Sequence, residues 1–443
     1  MEYGEFKDIL LGEALAKGCD AAEVYYSKDE AFLVDVLEGE IEAYEVNAKG
    51  GLNLRVKYAG KDGYAFTQIL DDPEKLVARA MDNARTIENE DDHPMQGKCG
   101  YAALEKKEKK ANALSDEERI ELVLSLERAA KAVDPRVQRV QLCRVDAGRS
   151  RVRVSNTLGL DAAQDNTTTM SVVILVTMQD SDVRNSYAFR VGDGIFEIDA
   201  CAREAVGRSV LQHGSSPVKA GQYRVLFKND AMAGMLSAFS PMFSGESAQK
   251  GLTLFKDKLG EQIACEQVTI LDDPFYPSNA RAFDGEGVPS VTTTVVENGV
   301  LRCFLHNLKT AKKAGVASTS NGGRAAADAP VSVMPSNFYI QPGEKDFDAL
   351  VAQLHNGLII NEVSGLHAGL NPVSGEFSML AKGLLVENGK IIRPVDQITV
   401  GGAFMQMLNG VLAIGNDLFF DIPKGSVFAS PSVLVDSMMV SGQ

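Results

Sequence analysis

The chain has no tryptophan, only five histidines, and six cysteines that nowhere form Cys-x-x-Cys. Without tryptophan the strongest base-stacking side chain is missing, which weakens a single-strand-binding reading. Basic charge is also short, with 45 Lys and Arg against 60 Asp and Glu, a net charge of −15. A field of that sign repels phosphate, so non-specific binding to nucleic acid or to an anionic membrane is not expected. No run approaches 18 uninterrupted apolar residues, and the first residues, Met1-Glu2-Tyr3-Gly4-Glu5-Phe6-Lys7-Asp8, lack the apolar stretch of a signal peptide. A soluble, cytoplasmic protein is expected. Cys19, Cys99, Cys143, Cys201, Cys265 and Cys303 are widely scattered, which reads as buried free thiols in a reducing compartment rather than as a disulfide frame.

Most catalytic constellations are missing too. Of His93, His213, His306, His355 and His367, no two stand at the i, i+4 spacing that puts two imidazoles on one helix face. Each reads as a surface or hydrogen-bonded residue. There is no Gly-x-Ser-x-Gly to strain a serine into a nucleophile.

What is present is ordinary globular composition, 45% hydrophobic and 24% charged, in 443 residues, long enough for two domains. Tyr3–Lys17 carries Phe6, Ile9, Leu10 and Leu15 at helical spacing and stops at Gly18. From Ala22 to Phe66 the apolar period falls to two, with Gly39, Gly50-Gly51, Gly60 and Gly63 as punctuation, which predicts an antiparallel meander of four or five strands. Asp72-Pro73 opens a second helix. Residues 89–110 are strongly polar and read as a solvated connector. Ser115-Asp116-Glu117-Glu118 is a capping box that starts a long helix. Strands follow to Arg190, then a helix over Glu197–Gln212. Beyond His213-Gly214-Ser215-Ser216-Pro217 short apolar runs dominate, and Asn298-Gly299 and Asn388-Gly389 mark two hairpins. The expected fold is therefore α+β in two domains. Residues 1–214 form antiparallel meanders flanked by helices, divisible into 1–90 and 111–214. Residues 215–443 form a mostly β barrel or sandwich with a few helices.

Three polar features invite a functional reading. Ser237, Ser240, Ser244 and Ser247 follow a helix that begins near Asn229-Asp230, and read either as caps and turns or as the lining of a cleft. Asn321-Gly322-Gly323-Arg324 lies in a small-residue loop without the Lys-Ser/Thr of a phosphate loop, and reads as a surface or cleft-covering loop. Asp71-Asp72-Pro73 and Asp272-Asp273-Pro274 suit turns and helix starts better than acid–base work.

Five segments in order carry a resemblance. They are Gly50-Gly51-Leu52-Asn53-Leu54-Arg55-Val56; Phe283-Asp284-Gly285-Glu286-Gly287-Val288-Pro289 with Val296-Glu297-Asn298-Gly299; Asn371-Pro372-Val373-Ser374-Gly375-Glu376-Phe377-Ser378 with Val386-Glu387-Asn388-Gly389; Ile414-Gly415-Asn416-Asp417; and Ser430-Pro431-Ser432 with Val440-Ser441-Gly442. Together they resemble the TldD/PmbA family, the modulators of DNA gyrase. The resemblance implies two branches. One carries His-Glu-x-x-x-His and a later cysteine, which hold zinc. Aligned through Gly245 and Lys250-Gly251, the two histidine positions fall on Leu236 and Pro241 and the glutamate on Ser237, and no cysteine follows Cys303. The chain is therefore similar to the PmbA (TldE) branch that lacks the zinc motif.

That resemblance implies a chain without cofactor, paired as a heterodimer with a zinc-bearing TldD-like paralogue. The pair would be a protease for unfolded or extended peptides, with residues 215–443 facing its cleft. Ser240, Ser244 and Glu246 would hydrogen-bond a peptide and Arg324 would hold a carboxylate. The alternative is a peptide-binding or regulatory homodimer, gyrase-modulator-like, with no peptidase partner.

Overall fold

The computed structural model describes residues 1–88, 92–104, 109–423 and 425–442. The predicted polar runs over 89–91 and 105–108 lie outside the described residues. The chain folds as two compact units. The first comprises 1–211 with the excursions 281–289 and 322–332; the second comprises 212–280, 290–321 and 333–443.

The first unit is built on one six-stranded antiparallel sheet. Its elements are α1 (Tyr3–Ala16), β1 (Ala21–Leu37), β2 (Glu40–Tyr58), β3 (Lys61–Thr67), α2 (Pro73–Thr86), α3 (Asp116–Val133), β4 (Val137–Asn156), β5 (Asp161–Gln179), β6 (Asp182–Val191) and α4 (Ile198–Val210). The strand order is β3-β2-β1-β4-β5-β6. Local chemistry sets the helix starts. Asp72 Oδ1 accepts from Lys75 N at 3.0 Å with Pro73 in the first turn. Ser115 and Glu118 close the predicted capping box.

The strands are so long that one face serves two cores. Val24, Leu52, Leu54 and Val56 pack with Phe6, Leu10, Leu76 and Val77 from α1 and α2. Further along, Phe32, Val34, Val36, Val173 and Leu175 pack with Leu122, Leu126, Ala202 and Val206 from α3 and α4. The segment read as four or five strands is three, because Gly50-Gly51 does not break β2. Both residues stay in register with β1, opposite Lys28 and Ser27. A Cβ on Gly51 would lie 2.3 Å from the Phe66 ring, so that glycine serves close packing rather than a turn.

The second unit contains β7 (Gly221–Phe227), α5 (Asn229–Phe239), α6 (Gly245–Gln249), β8 (Ile270–Asp272), β9 (Thr293–Glu297), β10 (Val300–Leu301) and α7 (Leu308–Ala314). Two-residue strands β11 (Gly322–Gly323) and β12 (Ser332–Val333) bracket the second excursion. Then come β13 (Asn337–Ile340), α8 (Phe347–Leu354), β14 (Gly357–Ser364), β15 (Glu376–Glu387), β16 (Lys390–Ala403), α9 (Phe404–Asn409), β17 (Val411–Ile414), β18 (Phe419–Phe420), β19 (Val427–Ser430) and β20 (Val433–Ser441). Strands β16-β15-β14-β7-β20 close into a five-stranded barrel through the β16–β20 pairing. Alternation sorts its two faces. Val225 and Phe227 of β7 enter the main core, whereas Leu226 packs outward against Leu350, Val351 and Leu354 of α8. A second sheet runs β10-β9-β8-β13-β19-β18. At both predicted Asn-Gly turns the two central residues have positive φ, Asn298 (47°) with Gly299 (80°) and Asn388 (53°) with Gly389 (72°), as a twist-matched hairpin requires.

Candidate functional site

In the second unit, β7 leads through Lys228 into α5, the helix on which the resemblance above places the degenerate zinc positions. Asn229 is its first helical residue rather than its cap; its amide side chain donates to the Asp417 carbonyl at 2.8 Å. Asp417 in turn accepts from the Ser432 backbone N at 2.9 Å and the Ser432 hydroxyl at 2.7 Å. The Ile-Gly-Asn-Asp segment thus ties the start of β20 to the start of α5.

Leu236 is fully buried, in the same core as Phe227, Met232, Phe239 and Phe404. Phe239 stacks on Phe404 at a 4.4 Å ring separation. Ser237 is half-buried and its carbonyl accepts from the Ser240 hydroxyl at 2.8 Å, which closes the helix. Pro241, exposed, is the second residue of a 3-10 turn over Ser240–Phe243. A buried leucine, a serine and a proline offer no nitrogen or carboxylate to a metal, so this donor set does not fit zinc. Among the described residues, no three His, Cys, Asp or Glu are placed to hold a metal ion.

The other candidate residues are engaged locally. Ser244 caps α6, its hydroxyl accepting from Glu246 N at 3.2 Å and Ser247 N at 3.5 Å. Glu246 pairs with Lys250 at 2.6 Å on the same short helix. Ser244→Ala is expected to lose about 1 kcal/mol in equilibrium denaturation, the usual cost of a lost cap. Behind this turn stands a histidine that sequence reasoning did not single out. A Cβ on Gly245 would lie 2.2 Å from His306 Cε1. His306 Nδ1 meets the Thr310 hydroxyl at 3.1 Å, and burial holds its pKa below the ordinary value, so a neutral imidazole wedges the turn.

Arg324 belongs to the first unit, not to this segment. Its guanidinium lies 4.7 Å over the Tyr25 ring and donates to the Ala329 carbonyl at 3.1 Å. It stands among a buried charge cluster that sequence reasoning missed. Tyr64, Arg55, Glu23 and Asn156 form one cross-strand row over β3, β2, β1 and β4. Arg55 is almost wholly buried and donates to Asp62 at 3.0 Å, to the Pro94 carbonyl at 3.3 Å and to the His93 carbonyl, with Glu23 at 3.9 Å. His93 Nε2 shares a hydrogen bond with Glu286. The stretch predicted as a solvated connector is therefore buried at His93 and Met95.

Asp284 of the first excursion is also buried. It accepts from Glu286 N at 2.9 Å, Val288 N at 3.0 Å and Gly322 N at 2.8 Å. Burial and the Glu286 carboxylate push its pKa up to about 7, against the pull of Arg281 and these N–H donors. Burial likewise raises Glu23, against Arg55 and Arg324. A Cβ on Gly322 would lie 2.4 Å from Glu286 Oε2, so the glycine admits the carboxylate. The loop read as a surface or cleft-covering one is buried at Asn321, Gly322 and Gly323. Asn321, in the second unit, donates to Asp272 at 2.7 Å, which gives that turn aspartate a buried structural role.

Comparison with known proteins was consistent along the whole chain. The profiles described as PmbA/TldA metallopeptidase domain 1, central domain and C-terminal domain match residues 22–84, 109–212 and 220–442. The metalloprotease PmbA of Escherichia coli O157:H7 is 26% identical, covering 97% of this chain and 94% of its own length. A TldD metalloprotease homologue of Haemophilus influenzae is 25% identical, over 96% and 94%. Among solved structures, a protein of Thermotoga maritima described as a DNA gyrase modulator superposes with a TM-score of 0.91 at 32% identity, covering 99% of this chain and 100% of that one. TldE from Thermococcus kodakarensis shares the fold with a TM-score of 0.89 at 21% identity, over 99% and 100%. The chain belongs to the PmbA/TldA metallopeptidase family.

Proposed function

We propose that this chain is the metal-free, PmbA/TldE-like subunit of a two-subunit zinc peptidase that acts on unfolded or extended peptides. The observation that carries the reading is the fate of the positions that the resemblance aligns with the zinc motif: Leu236 is a core residue, the Ser237 carbonyl closes a helix and Pro241 lies in a 3-10 turn. A position filled by core packing does not present a ligand. The occurrence of proteins named PmbA, TldD and TldE among the relatives supports a family with paralogous members. In this reading the zinc belongs to the TldD-like partner, and this chain contributes a wall of the peptide path near Ser240, Ser244 and Glu246.

The test is hydrolysis of a casein-derived peptide mixture by this chain, by a zinc-bearing paralogue, and by both together, each with and without chelator. Activity in the mixture alone, abolished by chelator, is the expected result. Chelator-resistant activity in this chain alone overturns the reading. A stable homodimer that binds peptide and never associates with the paralogue favours the regulatory alternative.

A further inference from the structure

The central sheet of the first unit has a long open edge. β2 pairs with β1 along nearly its full length, but β3 covers only Leu52–Tyr58. The chain leaves the edge at Thr67 to enter α2. Residues 40–51 therefore have β1 on one side and, among the described residues, no strand on the other. A dozen residues of β2 extend about 35–40 Å with alternate backbone N–H and C=O groups facing outward.

One face of this edge is charged and carries a bulge, as a protected edge does, but the other face is apolar. Ile41, Tyr44 and Val46 lie opposite Val36, Val34 and Phe32, so the apolar row of the core continues to the rim, where Ile41 and Val46 are exposed and Tyr44 packs edge-on against Phe32 with its hydroxyl donating to Asp116 at 2.9 Å. Val46 is 68% exposed. The free stretch of β5 on the other side of the sheet instead exposes Asp161, Asp165, Thr167 and Thr168, as expected of a blunted edge. A groove of about 320 Å³ adjoins Val46, floored by Phe32 and Ala147 and walled by Asp116 and Arg119. On the opposite face of β2 the rim carries Glu40, Glu45 and Lys49, and Glu42 is the extra residue of a bulge.

We propose that residues 40–51 of β2 are an acceptor edge for an extended peptide with alternating apolar and basic side chains. The backbone groups select a strand, since only another extended chain satisfies a row of alternating donors and acceptors. The apolar row selects alternate apolar residues, which would lie beside Ile41, Tyr44 and Val46. Glu40, Glu42 and Glu45 against the single Lys49 select basic residues on the other face. The same acidic rim, on a chain of net charge −15, disfavours a second copy of this edge as the occupant. The inference does not rest on the paired-subunit reading, because the probe below is tested on this chain alone.

The test is fluorescence anisotropy of the full-length chain with a fluorescein-labelled Val-Lys repeat of about ten residues. The comparison variants are Ile41→Asp/Val46→Asp at this edge and Val183→Asp on the far edge strand β6. Both add negative charge, so simple attraction to a basic probe strengthens in both. The expected result is at least about a tenfold loss of affinity in the first variant and none in the second. A probe N-methylated at two adjacent central residues is expected to lose binding as well. Circular dichroism and melting of the variants verify that the exposed positions leave the fold intact. No binding at about 1 mM probe, or binding indifferent to the Asp pair and to N-methylation, overturns the proposal. Sedimentation showing a wild-type dimer that Ile41→Asp/Val46→Asp splits also overturns it, by making a second copy the occupant.

Discussion

Arg55→Ala lowers the stability of the first unit by about 3–5 kcal/mol, the usual cost of removing one partner from a buried ion pair. The size of the effect follows from what is left behind. Arg55 is nearly solvent-free and joins Asp62, the Pro94 and His93 carbonyls and Glu23. An alanine leaves two carbonyls without that donor and leaves Glu23, itself 2% exposed, buried near the Glu286 carboxylate with its strongest cation gone and only Arg324 and Asn156 to favour its charge. The pH dependence has a definite sign. Burial already holds the Glu23 pKa above the usual range, and Arg55 is the largest influence pulling it down. Without Arg55 it rises further. A carboxyl raised in the folded state favours folding at low pH, and that advantage is lost as pH climbs through the folded value. The deficit of the variant is therefore smaller near about pH 5.5 than near about pH 8. Urea denaturation at both values measures it, and adding Glu23→Gln recovers part of the loss at the higher pH. A loss below about 1 kcal/mol would mean that the cluster relaxes into solvent and is not sealed.

That cluster also marks the limit of sequence reasoning. The helix starts at Asp72-Pro73 and Ser115 and both Asn-Gly hairpins were legible, because each depends on a few adjacent residues. The charge cluster depends on residues far apart. Glu23 and Arg55 occupy the polar-looking face of alternating strands, which by local pattern faces water. Here that face is covered by a charged excursion from far down the chain, through Asp284, Glu286 and Arg324. The Phe-Asp-Gly-Glu-Gly segment was visible as a family marker, but nothing local revealed that Asp284 folds its own loop or that Glu286 meets His93. Similarly, the polar composition of 89–110 suggested solvent, whereas His93 is placed by a tertiary partner rather than by its neighbours in sequence. The sequence leaves the serine cluster after α5 open between caps and turns and the lining of a cleft; the contacts of Ser240 and Ser244 are local, to groups within three residues.

Rebuilding the aligned zinc motif by Leu236→His, Ser237→Glu and Pro241→His is expected to lower stability by several kcal/mol without creating a stoichiometric zinc site. Leu236 is wholly buried among Phe239, Phe404 and other apolar side chains. An imidazole there gives up leucine packing and needs a hydrogen-bond partner that this core lacks, which together cost about 3–5 kcal/mol. The backbone argues the same way. α5 ends at Phe239, so position 241 lies in a 3-10 turn beyond the last helical residue, and its side chain is presented to solvent. Replacing Pro241 does not by itself extend the helix, because Ser240 closes it through the Ser237 carbonyl and Ser244, four residues further on, caps α6. The later cysteine that the resemblance implies has no counterpart, since no cysteine follows Cys303: Asp417 is committed to Ser432, and Phe419 and Phe420 follow in β18. Zinc content by elemental analysis and a denaturation curve of the triple variant are the measurements. One bound zinc per chain at unchanged stability would mean that the site is latent in this scaffold, and that a metal-free role reflects three substitutions alone; the packing of Leu236 predicts instead that this segment has become part of the core.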